Sequence, residues 1–222
     1  MSPSQKDIFL DGAGNGWFER NQIIGDKLAE KVKIDPVLKL FEEKELLPKK
    51  ILEIGASNGW RLSVLNERFP EVRCVGIDPS EKAVCDAFPD IEMHRGTADL
   101  LPFQDNSFDV VIFGFCLYLC DRADLFRIAS EADRVLADGG CMIIYDFYSE
   151  VSYRNPYAHL DGVYSYKMDY SRLFTWNPLY ELTDNILMPH PGTTDNSPDN
   201  QVCVSLLYKK SANQWPDKPG DS

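Results

Sequence analysis

The sequence lacks the features that mark several large classes of protein. Its six cysteines contain no C-x-x-C pair, so that we expect reduced thiols and no metal site. No apolar run approaches the roughly 20 residues that cross a bilayer, and the initial segment MSPSQKDIFLDG has no hydrophobic stretch like that of a signal peptide. We therefore expect a cytoplasmic protein that does not enter membranes.

Positive charge is also scarce. The chain has 23 Lys and Arg residues against 35 Asp and Glu residues, which gives a formal net charge of -12. Such a chain repels the phosphates of nucleic acids and the surfaces of anionic membranes. The composition favours a small-molecule substrate over a nucleic acid or a membrane as partner, and it indicates no oligomeric state.

Apolar segments alternate with helical patterns through the middle of the 222-residue chain, which predicts a single domain. An earlier helix is expected over 19–33, and Asp35 followed by Pro36 predicts the start of a helix that runs to about Leu47. Beyond it the pattern predicts strands at 50–55, 73–78, 91–96, 108–115 and 141–147, and helices at 58–68, 79–88 and 121–136. This alternation predicts a Rossmann-like α/β sandwich of three layers around a mostly parallel, seven-stranded sheet with an antiparallel edge strand.

The regular alternation ends after residue 148. Two further strands, near 179–187 and 201–208, have no helical pattern between them and are expected to pair antiparallel at one sheet edge. The predicted divisions are an N-terminal helical cap (1–47), a core (48–148), a substrate-side insertion (149–178), terminal strands (179–210) and a flexible polar tail (211–222).

Four signals occur at the carboxyl ends of predicted strands, where open α/β sheets bind ligands. The first is the loop of ILEIGASNGW, in which Gly55 and Gly59 allow close approach of the backbone to a ligand. The helix that follows offers free N–H groups to a carboxylate. A plain strand-to-helix turn is the alternative for this loop alone.

The other three signals follow in order. Asp78 lies 19 residues after Gly59, a spacing typical of an acid that binds ribose hydroxyls, although it could instead cap the next helix. In GTADLLPF (96–103), a side-chain oxygen of Thr97 or Asp99 and a backbone N–H near Ala98 could bind an adenine edge. In the segment 105–121, Gly114 and Phe115 reach the top of the sheet.

Two other nucleotide-binding motifs fit less well. A dinucleotide dehydrogenase needs G-x-G-x-x-G after the first strand, whereas this loop is G-x-S-x-G. A P-loop is excluded because no G-K-[ST] follows.

The ordered set LEIGASNG, GIDPS, GTADLLPF, SFDVVIFGFCLYLCD and EADRVLADGG resembles the class I S-adenosylmethionine (SAM)-dependent methyltransferases, of the type 11 subgroup, over residues 48–148. The resemblance implies SAM as cofactor and S-adenosylhomocysteine (SAH) as product. It places Gly55 and Gly59 along the methionine part, Glu53 behind that loop, Asp78 at the ribose and Phe115 beside the sulfonium. The implied cofactor residues are Glu53, Gly55, Ala56, Ser57, Asn58, Gly59, Asp78, Pro79, Thr97, Ala98, Asp99, Gly114 and Phe115.

The sequence departs from the family pattern at three positions. Ser57 replaces the middle glycine, which suits the loop if its φ stays negative. Thr97 stands where an acid is more common, so that the adenine contact is expected either to pass to Asp99 or to be weaker. Tyr118 stands where the family often has His.

Methyl transfer requires alignment and exclusion of water rather than a catalytic triad. Asp146, His159 and Tyr118 are candidate general bases. Aromatic residues outside the core are candidates for the substrate wall, or alternatively bury the N-terminal helices. These are Trp17, Phe18, Tyr148, Tyr164, Tyr166 and Trp176. A protein that binds SAM or SAH without turnover is the alternative function.

Overall fold

A seven-stranded sheet forms the centre of the computed structural model, which describes residues 3–22, 26–191, 193, 197–211 and 215. The sheet strands are β1 (Lys50–Ile54), β2 (Arg73–Asp78), β3 (Glu92–Arg95), β4 (Phe108–Gly114), β5 (Leu136–Phe147), β8 (Tyr180–Pro189) and β9 (Gln201–Lys209). Their order is β3-β2-β1-β4-β5-β9-β8, and β1 to β5 are parallel. The predicted fold class is confirmed.

The direction of the last two strands matters for the site. Strand β9 is antiparallel to both β5 and β8. Because β9 alone is reversed, β8 runs in the same direction as β1 to β5. The residues that follow β8 therefore lie at the same edge of the sheet as the loops that follow the parallel strands.

The observed helices agree with the predicted ones in the core and differ from them near the N-terminus. They are α1 (Gln5–Ile8), α2 (Gly14–Asn21), α3 (Asp26–Ile34), α4 (Pro36–Glu43), α5 (Trp60–Arg68), α6 (Glu81–Cys85), α7 (Leu125–Val135) and α8 (Arg172–Thr175). Asp35 caps α4 as predicted, since its Oδ1 accepts from the Leu38 N–H at 3.0 Å. The single helix expected over 19–33 is wrong, because α2 ends at Asn21 and α3 starts again at Asp26.

Both faces of the sheet are covered by helices, as burial of apolar strands requires. On one face, Leu52 and Val111 pack in a cluster with Ile128 of α7 and Phe174 of α8. On the other face, Ile51 and Ile112 belong to a cluster that includes residues of α4 and α5, among them Val37, Phe41, Leu62 and Leu65. Each such buried side chain stabilises the fold by roughly 1.5–3 kcal/mol. Within the described part of the chain, no helix has the length and apolar character needed to cross a bilayer.

The segment 149–178 contains a hairpin of β6 (Tyr153–Pro156) and β7 (Tyr164–Lys167), followed by α8. The hairpin contacts the N-terminal helices. Gln5 Nε2 donates to the carbonyls of Leu119 and Tyr164, and its Oε1 accepts from the Tyr164 N–H at 2.7 Å. The N-terminus and the hairpin thus pack on each other, as well as on the core. Of the predicted tail, only residues 211 and 215 are among those described.

Candidate active site

The loop that follows β1 has an unusual backbone. Gly55, Ser57 and Gly59 have φ values of 74°, 54° and 77°. At Gly55 glycine is required for space too, since an added Cβ would lie 2.5 Å from Cys116 Cβ. Ser57 does not meet the condition of a negative φ under which it would suit the loop, and a left-handed conformation costs an ordinary residue roughly 1–2 kcal/mol. Such local strain is commonly found where a chain binds a ligand.

Asp78 holds this loop in place. Its Oδ2 accepts from the Ser57 N–H at 2.8 Å and its Oδ1 from the Ser80 N–H at 2.9 Å. The cap of α6 is Ser80, whose hydroxyl accepts from the Ala83 N–H, so the alternative role of Asp78 as a helix cap is wrong. Burial raises the pKa of Asp78 to about 6. Each carboxylate oxygen keeps a further lone pair for a ligand.

A first cavity lies above the carboxyl ends of β1, β2 and β3. It encloses about 800 Å³ including its open mouth. From the core it is lined by Ile54, Gly55, Ile77, Asp78, Pro79, Gly96, Thr97, Ala98, Asp99, Phe115 and Cys116, among others. From the N-terminal segment it is lined by Gln5, Lys6, Phe9, Gly14 and Trp17. The N-terminal helices thus form one wall of this cavity.

Asp99, one of the predicted adenine contacts, already has a partner. Lys6 Nζ lies 2.7 Å from its Oδ2. Burial acts to raise the pKa of Asp99, but hydrogen bonds, above all that of Lys6, outweigh it and lower the pKa. Asp99 therefore joins the N-terminal helix to the loop after β3.

A second cavity lies next to the first and encloses about 1330 Å³ including its open mouth. Its wall includes the loop 55–58 and residues of α2, α3 and α5. Gly55, Trp17 and Phe115 line both cavities. The two cavities therefore adjoin at these three residues.

A buried charged cluster forms part of the second wall. The Arg61 guanidinium binds both oxygens of Asp35, at 3.1 and 3.0 Å, and also binds Glu53 Oε1. Glu53 Oε2 is buried and has no hydrogen-bond partner among the described residues. Burial raises the pKa of Glu53 to about 7 against the opposing effect of Arg61. A buried carboxylate oxygen without a partner is suited to a ligand's hydrogen-bond donor.

Lys31 of α3 also lines this cavity. Its Nζ lies 4.7 Å from the centre of the Trp60 ring, and it forms no ion pair within the described part of the chain. Burial lowers the pKa of Lys31 to about 8.

Phe115 stands where the two cavities meet, with a φ of 64°. This conformation is an outlier for a bulky residue. Its ring centre lies 5.1 Å from Tyr118, 5.2 Å from Tyr145, 4.8 Å from Phe147 and 5.2 Å from His190. The aromatic cluster holds the ring in place, and the Trp17 indole N–H donates to the Tyr118 hydroxyl at 3.0 Å beside it.

A family model described as a methyltransferase domain matches residues 52–144, the segment that carries this geometry. Residues 52–144 are therefore similar in sequence to a methyltransferase domain, in agreement with the class I SAM-dependent pattern. The resemblance inferred from the sequence is thereby confirmed.

Relatives and solved structures extend this finding. The demethylmenaquinone methyltransferase of Chlorobaculum parvum is 35% identical over 44% of this chain and 40% of its own length. The malonyl-[acyl-carrier protein] O-methyltransferase of Methylococcus capsulatus is 30% identical over 45% of this chain and 38% of its own length. The matches thus span about two fifths of these curated relatives.

One solved structure has the same fold over nearly the whole chain. It is the 1,6-didemethyltoxoflavin-N1-methyltransferase of Burkholderia thailandensis, with bound 1,6-didemethyltoxoflavin and SAH. The structural alignment covers 93% of this chain and 87% of the Burkholderia chain, with 14% sequence identity and a TM-score of 0.67. The fold of the methyltransferase domain therefore extends into the N-terminal and C-terminal segments.

The three candidate bases do not line either cavity of the methyltransferase domain. Asp146 is fully buried, and its oxygens accept from the N–H groups of Leu117, Tyr118 and Phe147. Burial raises the pKa of Asp146 to about 7. His159 is exposed and lies against Tyr157. Tyr118 is buried, which raises its pKa.

Of the aromatic candidates for the substrate wall, the structure brings two to the site. Trp17 and Phe18 line the second cavity, whereas Tyr148, Tyr164, Tyr166 and Trp176 line neither. Tyr166 packs under Arg122, and Trp176 is 73% exposed. Within the hairpin, Tyr164 and Tyr166 thus contact the side chains of Arg154 and Arg122 and line neither cavity.

The residues of the site that were not identified from the sequence include Lys6, Lys31, Arg61 and His190. For His190 a signal existed, since it directly follows a strand and such positions can lie at the ligand-binding edge of a sheet. Using that signal requires knowing that β8 is parallel to β5. No group of three or more His, Cys, Asp and Glu residues suited to a metal ion occurs within the described part of the chain.

Proposed function

We propose that this chain transfers the methyl group of SAM to a small-molecule acceptor. The observation that supports this best is the meeting of two cavities at Gly55, Trp17 and Phe115. One cavity has the wall of a nucleoside site, and the other leaves room for a second molecule. Since the curated relatives are matched over only part of their length, the activity of the whole chain is part of this proposal.

The described residues fit SAM. The largely apolar first cavity suits an adenine ring, and Asp78 keeps lone pairs for the ribose hydroxyls. The unpartnered Glu53 Oε2 suits the ammonium group of the methionine part, and Lys31 suits its carboxylate. When bound, SAM supplies a methyl group on a positively charged sulfur, so that the protein need not activate the donor.

The residues of the chain then act by binding, orientation and exclusion of water. Phe115 and Trp17 place aromatic rings where the cavities meet, and such rings favour a neighbouring cation. The strained backbone at Ser57 and Phe115 fixes the floor of the site before a ligand arrives. The N-terminal helices and the hairpin form a cap that limits access of water.

The acceptor occupies the second cavity in this proposal. The named relatives act on a quinone precursor, a malonyl thioester and a heterocycle, so they do not identify one acceptor for this chain. The net charge of -12 argues against nucleic acids, and a cytoplasmic location is part of the proposal. The open second cavity favours turnover over binding alone.

Two measurements test the proposal. Calorimetry should detect binding of SAM and SAH but not of NAD, and absence of heat and of thermal shift with both ligands would contradict it. Protein incubated with methyl-labelled SAM and fractionated small-molecule extracts should then transfer label to a metabolite. Binding without transfer to any fraction would favour the alternative of a SAM-binding protein without turnover.

A further inference from the structure

His190 is positioned by the sheet. It follows β8 directly, and its backbone N–H donates to the Asn200 carbonyl at 2.6 Å, just before β9. Its imidazole is stacked on the Phe147 ring at 5.6 Å and is tilted against Phe115 at 5.2 Å. The ring therefore contacts the residue at which the two cavities meet.

His190 also lines the second cavity, together with its neighbour Pro191. The carboxylates of Asp35 and Glu53 in the same wall are bound by Arg61. Among the described residues of this wall, His190 is the only imidazole. Unlike Glu30, Glu53 and Lys31 of the same wall, it lies in ring contact with Phe115, where the two cavities meet, and a neutral imidazole can accept a proton near neutral pH.

The surroundings keep this imidazole neutral. Burial is the main cause that lowers the pKa of His190, and the positive charges of Lys167 on β7 and Lys31 on α3 act in the same direction. A hydrogen bond with the backbone of Pro191 acts against them. Nearby titratable groups include the phenols of Tyr118 and Tyr145, whose rings contact Phe115 beside His190, and the buried carboxyl of Asp146, which precedes Phe147. No carboxylate forms a hydrogen bond with the His190 ring among the described residues.

We propose that His190 is the general base of the methyl transfer, and that the acceptor is a flat molecule whose nucleophile is an O–H or N–H group. The inference rests on the proposed function. A flat acceptor is favoured because five aromatic residues line this cavity, namely Trp17, Phe18, Trp60, Phe115 and Tyr145.

The acceptor's O–H or N–H proton passes to the free ring nitrogen of His190, and the electron pair stays on the acceptor atom. That atom forms the bond to the methyl carbon, while the pair of the breaking carbon–sulfur bond stays on sulfur. The imidazolium returns its proton to water, so that no oxidant, reductant or further reactant is needed.

The first test needs no acceptor. The chain has three histidines, so His94→Gln, His159→Gln and His190→Gln assign each ring signal in an NMR pH titration. In the SAH-bound protein the His190 ring should titrate below the ordinary pKa of about 6.5. A ring that stays protonated at pH 7 would overturn the inference. Absence of SAH binding to the wild-type protein would instead contradict the proposed function.

The second test uses label transfer from SAM to the extract fraction that the wild-type protein methylates. His190→Gln should lower the rate at pH 7 about 100-fold or more, while its SAH affinity stays within about twofold. The wild-type rate should rise with pH through the His190 pKa and then level off, and the variant should lose that inflection.

Control variants sharpen this test. His94→Gln should behave as the wild type, since His94 pairs with Glu92 and lines neither cavity. A full loss in His159→Gln, with a normal rate and pH profile in His190→Gln, would overturn the inference. If His190→Gln does not fold, His190→Asn and the NMR titration of the wild type decide the matter.

Discussion

Lys6 Nζ lies 2.7 Å from Asp99 Oδ2, and this contact joins the first helix of the chain to the loop after β3. Lys6 also lies 3.6 Å from Asp124, and its backbone N–H donates to Asp121. Acidic groups of the core, together with the hydrogen bonds of Gln5, therefore hold the N-terminal helix over the first cavity.

Lys6→Met should loosen this helix. Asp99 is only 6% exposed, and removal of the partner of a buried charge is costly. We expect faster hydrogen exchange over residues 3–22 and SAH affinity lower by about tenfold. Lys82→Met is the control, because Lys82 pairs with Glu19 of the same segment at a site where both side chains are more than half exposed. Equal effects of the two variants would contradict a specific role of Lys6.

Glu53 should make SAH binding depend on pH. The cofactor's ammonium group favours the ionised carboxylate, whereas burial raises the pKa of the free protein's Glu53 to about 7. Affinity should therefore rise between about pH 5.5 and 7.5, by up to roughly tenfold per pH unit below the pKa, and binding should release a proton.

Glu53→Gln should weaken binding and flatten this profile in calorimetry. 5′-Methylthioadenosine, which has no ammonium group, isolates the contribution of Asp78, whose pKa is about 6. An equal pH dependence for both ligands would assign the effect to Asp78 instead.

Lys31→Met should lower the affinity for SAH about tenfold, because the charge-assisted contact to the SAH carboxylate is lost. Binding of 5′-methylthioadenosine, which lacks the carboxylate as well, should not change. Lys33→Met is the matched control, since Lys33 lies on the same helix, is exposed and lines neither cavity. A loss shared by both ligands would show that Lys31 supports the fold rather than the carboxylate.

Ser57→Gly should stabilise the protein by about 1 kcal/mol, because glycine adopts the φ of 54° without steric cost. The measurement is the free energy of unfolding in urea. Ser63→Gly, in the interior of α5, should instead destabilise by about 0.5 kcal/mol. An unchanged or lower stability of Ser57→Gly would mean that the serine side chain compensates the strain.

The sequence predicts those features that depend on neighbours along the chain. The Asp35 cap and strands β1 to β4 fall where their local patterns place them, because a capping side chain and a buried apolar run act within a few residues. The order of the loops around Gly55 and Asp78 was equally accessible, since parallel strands bring their carboxyl ends to one edge.

The features that the sequence does not predict depend on residues that lie far apart along the chain. Lys6 meets a residue 93 positions later, and no local pattern reports such a pairing. His190 reaches the site only because β9 reverses between β5 and β8. The φ of Ser57 is set by its bond to Asp78 in the next strand. The position of Asp146 at a strand end predicts a general base, but three backbone donors occupy its oxygens.

The reversed strand β9 also sets an order on assembly during synthesis. Strand β8 joins the sheet only through β9, which pairs with β5 on its other side. A nascent chain that ends before residue 201 contains the loops around Gly55 and Asp78. Without β9, however, the edge of β5 is unpaired and β8, which positions His190, has no partner strand. During synthesis, the residues around Gly55 and Asp78 therefore leave the ribosome before the strand that holds His190 beside Phe115.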